Sequence, residues 1–158
     1  MTESMNPNTP ERLARRNHNI AVVQRFYGAA ATHDESKVVA VLTEDFVGQT
    51  TQGLPNDLGG VYHGNVSAVA MIWGRIWALF DMNGEAADIL PVDDDRVVVL
   101  GRYVGHTQDG SSPVYAAFAH IFTVRGDQVA ALQQITDSAQ WRQFGTRASL
   151  VAGPATLR

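Results

Sequence analysis

Cysteine is absent from this sequence of 158 residues, which excludes disulfides, thiolate metal sites and thiol nucleophiles together. Charge is sparse as well: 18% of residues are Asp, Glu, Lys or Arg, with a formal net charge of -4. Basic residues gather only at Arg12, Arg15 and Arg16, too few for the counterion release on which nucleic-acid binding depends. No run approaches the ~20 apolar residues of a membrane span. The opening residues MTESMNPNTPERLARR hold no apolar core of the kind a secretion signal needs. These absences point to a cytoplasmic protein that binds neither nucleic acid nor membrane. What the chain does have is 45% hydrophobic content, enough at this length for one domain with a real core and not for two.

Residues 1–8 are polar and rich in Pro and Asn, and read as a disordered tail. Thr9-Pro10-Glu11 is a helix start, with Thr9 as cap and Pro10 in the first helical position. Ile20, Val23, Tyr27 and Ala30 then recur at helical spacing to about Ala31. Asp34 caps a second, shorter helix running to Leu42. A short strand follows from Glu44, and the loop from Gln49 to Gly60 is long enough to form a pocket rim. Beyond Tyr62-His63-Gly64-Asn65, a stripe of Val69, Ile72, Trp73, Ile76, Trp77 and Phe80 predicts a third helix.

From Gly84 the period becomes alternating. Strands are expected over Glu85–Val92 and Arg96–Thr107, with Asp93-Asp94-Asp95 as a solvated turn. A long hairpin from Val114 to Asp137 folds through Arg125-Gly126-Asp127. A short helix over Ser138–Gly145 closes a domain spanning residues 9–145, and residues 146–158 form a tail. Three helices followed by strands joined through tight turns make an α+β plan: a curved, mostly antiparallel sheet with the helices on its concave face. Such a face encloses an apolar pocket for a hydrophobic small molecule.

Pairing Val124 with Val129 across the turn sets His120 opposite Gln133. The period of two then gathers Phe118, His120, Phe122, Ala131, Gln133, Ile135 and Asp137 on one face. The reverse face carries Ala117, Ala119, Ile121 and Thr123 opposite Ala130 and Leu132, a surface suited to a homodimer. On the preceding strand only one of Arg102 and Tyr103 can enter the cavity.

Four stretches resemble the nuclear transport factor 2-like α+β cone superfamily and, within it, the SnoaL-like polyketide cyclase group. They are RFYGAAATHDESKVVAVLTEDFV, GLPNDLGGVYHGNVSAVAMI, VVVLGRYVGHTQDG and VRGDQVAALQQITDSAQWRQFG. The resemblance runs from about Asn19 to Gly145. It implies that Asp137 is an acid/base carboxylate, and a carboxylate entering an apolar cavity is raised toward neutral pKa. The same Asp137 also stands where a cap for the last helix would. His120 is the second catalytic candidate, although the group's histidine aligns nearer Phe122. Gln133, Phe118, Phe122, Ile135, Arg102, Tyr62, Trp73 and Trp77 are the candidate substrate-binding residues.

The implied activity is cofactor-independent acid/base chemistry on a hydrophobic, carbonyl-bearing molecule, as in aldol cyclisation or isomerisation of a polyketide-like substrate. Neither a metal nor an organic cofactor is called for. Two alternatives stand beside it: a noncatalytic ligand-binding or assembly domain, and a water-activating hydrolase like the limonene-type epoxide hydrolases. In the latter Arg102 matches the arginine, while Val104 replaces the companion aspartate.

Overall fold

The computed structural model describes Asn6 and residues 8–152. The expected N-terminal tail therefore lies almost wholly outside the described residues, as do residues 153–158 of the expected C-terminal tail. The element order is α1 (Pro10–Ala30), α2 (Glu35–Ala40), β1 (Leu42–Thr50), β2 (Gly60–His63), α3 (Asn65–Val69), a π-helical turn (Ala70–Gly74), α4 (Arg75–Leu79), β3 (Phe80–Pro91), β4 (Arg96–Thr107), β5 (Pro113–Arg125), β6 (Gln128–Thr136) and α5 (Ser138–Ala152). The strands form one six-stranded sheet in the order β2-β1-β6-β5-β4-β3. Every neighbouring pair is antiparallel except β1 with β6. The result is an α+β cone: a curved, unclosed sheet with helices over one face. Among the described residues no helix is long and apolar enough to cross a membrane.

Local chemistry sets the helix positions. The Thr9 side chain accepts from the Arg12 N–H at 3.4 Å, Pro10 occupies the first turn, and Val22, Val23 and Phe26 face the core. Asn19, buried on the same face, donates to the Asp94 carbonyl at 2.9 Å and ties α1 to the β3–β4 turn. Asp34 caps α2 by accepting from the Ser36 N–H at 2.9 Å. From Asn65 to Leu79 the chain stays helical but widens over Ala70–Gly74. Such turns recur where a helix serves a site, and here Ile72, Trp73, Ile76 and Trp77 all face the cavity.

Several boundaries differ from the expected ones. β1 runs from Leu42 to Thr50, absorbing the start of the expected loop, and Gly60–His63 adds an edge strand that hydropathy does not mark. Phe80 opens β3 instead of closing the helix, so the alternating region starts before Gly84. The closing helix continues to Ala152 in place of a tail from residue 146.

The decisive difference lies in the last hairpin. Val124 pairs with Val129 through a turn at Gly126 (φ 61°), as expected, yet Thr123 pairs with Ala131. Ala130 is therefore an extra residue on β6, a bulge. Its cause is spacing: Val129 and Leu132, three apart, are both buried, and a strand of period two turns both inward only by inserting a residue. Beyond the bulge every side chain is on the opposite face from the one expected. Leu132, Gln134 and Thr136 point into the core, while Gln133, Ile135 and Asp137 are exposed.

Candidate functional site

The concave side of the sheet and the helices enclose a cavity with about 700 Å³ of empty space, its open mouth included. Phe26, Tyr27 and Ala30 of α1, with Ala31 just past its end, form one wall; Ile72, Trp73, Ile76 and Trp77 form another. Gly48, Gln49 and Thr50 of β1 and Met82, Asn83 and Gly84 of β3 flank it, and Tyr103, His120, Leu132 and Gln134 make the floor. No Asp, Glu, Lys or Arg is among these residues. A smaller chamber of about 300 Å³ adjoins it, shares Thr50, Ile76, Met82, Tyr103 and Gln134, and is closed by Leu54, Leu58 and Trp141. The loop after β1 thus contributes to the enclosure.

The polar groups of the floor form one chain of hydrogen bonds. Tyr27 Oη lies 2.7 Å from His120 Nδ1, and Tyr103 Oη lies 2.7 Å from His120 Nε2. Gln134 Nε2 donates to Tyr103 Oη at 2.8 Å, and Gln134 Oε1 accepts from the Thr51 N–H at 3.1 Å. Thr51 Oγ1 donates to the Gln134 carbonyl at 3.0 Å and accepts from the Thr136 N–H at 3.0 Å, which fixes β6 against the end of β1. His120 is only 5% exposed and stacks on Phe118 with ring centroids 3.9 Å apart.

Burial governs the electrostatics. It pushes the His120 imidazole down to about 3, so the ring is neutral at physiological pH. It also raises both phenols well above their ordinary value: Tyr103 against an opposing hydrogen bond from Gln134, and Tyr27 with a further push from Tyr103. Both are hydroxyls rather than phenolates. A neutral histidine between two neutral phenols can carry polarisation, because each bond in a chain strengthens the next.

A family model described as a SnoaL-like domain matches residues 23–132. The chain belongs to the SnoaL-like domain family. Among curated proteins none matches it. Solved structures similar to this SnoaL-like domain include an NTF2-like protein of unknown function from Burkholderia pseudomallei K96243, with a TM-score of 0.72 at 22% identity, covering 82% of this chain and 98% of that one. TerC, co-crystallised with polyporic acid, gives a TM-score of 0.70 at 20% identity, covering 80% of this chain and 96% of that one. A protein with a ketosteroid isomerase-like fold from Catenulispora acidiphila DSM 44928, in complex with trimethylamine, gives 0.67 at 14%, covering 88% of this chain and 95% of that one. At these identities the likeness establishes the NTF2-like cone.

Of the residues expected in the SnoaL-like site, His120, Trp73 and Trp77 line the cavity. Phe118 and Phe122 lie behind them, packed against His120. Gln133 and Ile135 are on the outer face, displaced by the bulge at Ala130, and the inward amide is Gln134. Asp137 is displaced with them: it is exposed, and its Oδ1 accepts from the Ala139 N–H at 3.1 Å, an N-cap contact to α5. Arg102 points outward onto Tyr115, its guanidinium carbon 5.2 Å from the ring, and Tyr103 takes the inward position. Tyr62 lies outside the cavity, donating to the Asp57 carbonyl at 3.1 Å.

Sequence reasoning missed Tyr27 and Gln134. Tyr27 sits in a helical apolar stripe where phenylalanine would serve packing equally, and only its distance to His120 reveals the hydroxyl's use. Gln134 had a readable signal in the spacing of Val129 and Leu132 around two alanines.

Proposed function

We propose that this domain binds an apolar small molecule bearing a carbonyl oxygen, seated between Trp73, Trp77 and Phe26 with that oxygen toward Tyr27. The observation that carries this reading is an aromatic cavity whose lining residues are uncharged and whose floor carries one hydrogen-bond chain ending at the Tyr27 phenol. An uncharged pocket disfavours ionised ligands, because nothing replaces their lost hydration. Structures of this fold with polyporic acid and with trimethylamine support occupancy by small organic molecules.

A second reading follows from the same pose. A carbonyl held by a polarised hydroxyl is activated toward enolisation, so cofactor-free isomerase- or cyclase-type chemistry on a polyketide-like ketone is the catalytic extension. Family membership favours it. Asp137, exposed at the start of α5, has no part in either reading.

Titrating the protein with aromatic ketones while following tryptophan emission tests the binding. Quenching and a raised melting temperature are expected. Tyr27→Phe should weaken binding about tenfold, the worth of one neutral hydrogen bond, and Ala31→Trp at the mouth should block it. Equal binding by the Ala31→Trp protein would place the ligand elsewhere and end the proposal. Deuterium exchange at the carbon alpha to the bound carbonyl, measured against buffer, separates turnover from binding.

A further inference from the structure

The hydrogen-bond chain on the cavity floor has a direction, and one residue sets it. A backbone N–H can only donate, so the Gln134 atom facing Thr51 N at 3.1 Å is the amide oxygen. The amide nitrogen then faces Tyr103 Oη, 2.8 Å away, and donates to it. Tyr103 is buried, and its hydroxyl meets only Gln134 and His120 among the described residues. Since Tyr103 Oη accepts from Gln134, its own hydrogen has one acceptor within reach, His120 Nε2. The opposite choice, an Nε2–H donating to Tyr103, would bury that hydroxyl hydrogen without an acceptor.

With Nε2 accepting, the single proton of the neutral imidazole resides on Nδ1 and is donated to Tyr27 Oη at 2.7 Å. Among the described residues the Tyr27 hydroxyl hydrogen is then the one in this series with no acceptor, and Tyr27 lines the cavity. We propose that Gln134 is a positioning residue that orients the chain from Gln134 through Tyr103 and His120 to Tyr27, so that the cavity meets a hydrogen-bond donor and selects ligands whose polar group is an acceptor, such as a ketone. The ligand class rests on the binding reading above. The direction of the chain does not.

Replacing Gln134 with glutamate reverses the logic. One carboxylate oxygen keeps the Thr51 N–H, and the other accepts from the Tyr103 O–H. Tyr103 Oη must then accept from Nε2–H, Nδ1 accepts from the Tyr27 O–H, and the Tyr27 end of the chain offers the cavity only lone pairs. Two-bond ¹H–¹⁵N spectra of histidine-labelled protein at pH 8 report the tautomer directly, with His120 assigned by its loss in His120→Phe. The expected result is a neutral Nδ1–H ring in the native protein and an Nε2–H ring in Gln134→Glu. An Nε2–H or imidazolium form in the native protein, or an unchanged Nδ1–H ring in the variant, overturns the proposal. Should the variant fail to fold, the native spectrum alone decides.

In the same proteins 2-acetylnaphthalene should bind the native form about tenfold more tightly than Gln134→Glu. Equal binding would overturn the selection of acceptors. Failure to bind either protein would count against the binding reading, and the spectrum, which needs no ligand, would still decide the direction.

Discussion

Protonating His120 would place a charge among Phe118, Phe122 and two phenols, and this couples the site to stability. In the unfolded chain the imidazole titrates near its ordinary ~6.5; in the native state burial holds it down to about 3. Between those values the unfolded state takes up a proton that the native state refuses. Native stability is thus full above the unfolded value and falls as pH drops toward the native one, by up to about 1.4 kcal/mol per pH unit. Urea midpoints at pH 7.5 and 5 should show this loss in the native protein and a smaller one in His120→Phe, which has no proton to gain. Parallel losses in the two proteins would refute the assignment. The sequence reveals His120 as inward but not what holds it, because its hydrogen-bond partners come from α1 and β4, and Gln134 of β6 acts one bond further on. Tyr27 is 93 positions away, and hydropathy treats its phenol as packing.

At the scale of elements, the site depends on irregularities in the sheet. The register shifts between β1 and β6, and one-residue bulges interrupt β3 against β4 and β5 against β6; each bulge adds local twist to the strand that carries it. Gly101 serves the same curvature. A Cβ there would lie 2.6 Å from Phe118 Cζ and closer still to the Glu85 carbonyl oxygen. Gly101→Ala should therefore force β3 away from β4 and cost about 1–3 kcal/mol, read as a lowered melting temperature. An unchanged melt would show that β3 yields without strain. The antiparallel neighbours from β3 to β6 and the β4 boundaries are legible because long alternating runs and tight turns state them locally; the parallel contact of β1 with β6 and the edge strand β2 leave no such local mark. The bulge at Ala130 is less plain, since either register turns two polar side chains inward, and a count without it puts Asp137 and Gln133, though not His120, on the face opposite the one they take. What decides between the registers is the demand of both Val129 and Leu132 for the core.

Across the whole molecule, the helices cover one side of the sheet and leave the other with an apolar band. Leu100, Ala119 and Ile135 lie in register across β4, β5 and β6, with Val98 and Ile121 beside them. Leu100 is 41% exposed and Ile135 49% exposed. The bulge turns Leu132 inward and Gln133 and Ile135 outward, so on β6 it is Ile135 that continues the band. Arg102 stands at one border, paired in register with Glu85 of β3. An isologous contact sets the same patch against itself, and an apolar band bordered by both an arginine and an acid on neighbouring strands suits one. We therefore expect a homodimer joined through the outer sheet face, with the two cavities opening away from the contact. Sedimentation equilibrium at micromolar concentration should give a dimer. Leu100→Asp combined with Ile135→Asp should give a monomer that keeps the native His120 tautomer, because neither side chain reaches the cavity floor. A native protein that sediments as a monomer, or a double variant that remains dimeric, would place the contact elsewhere.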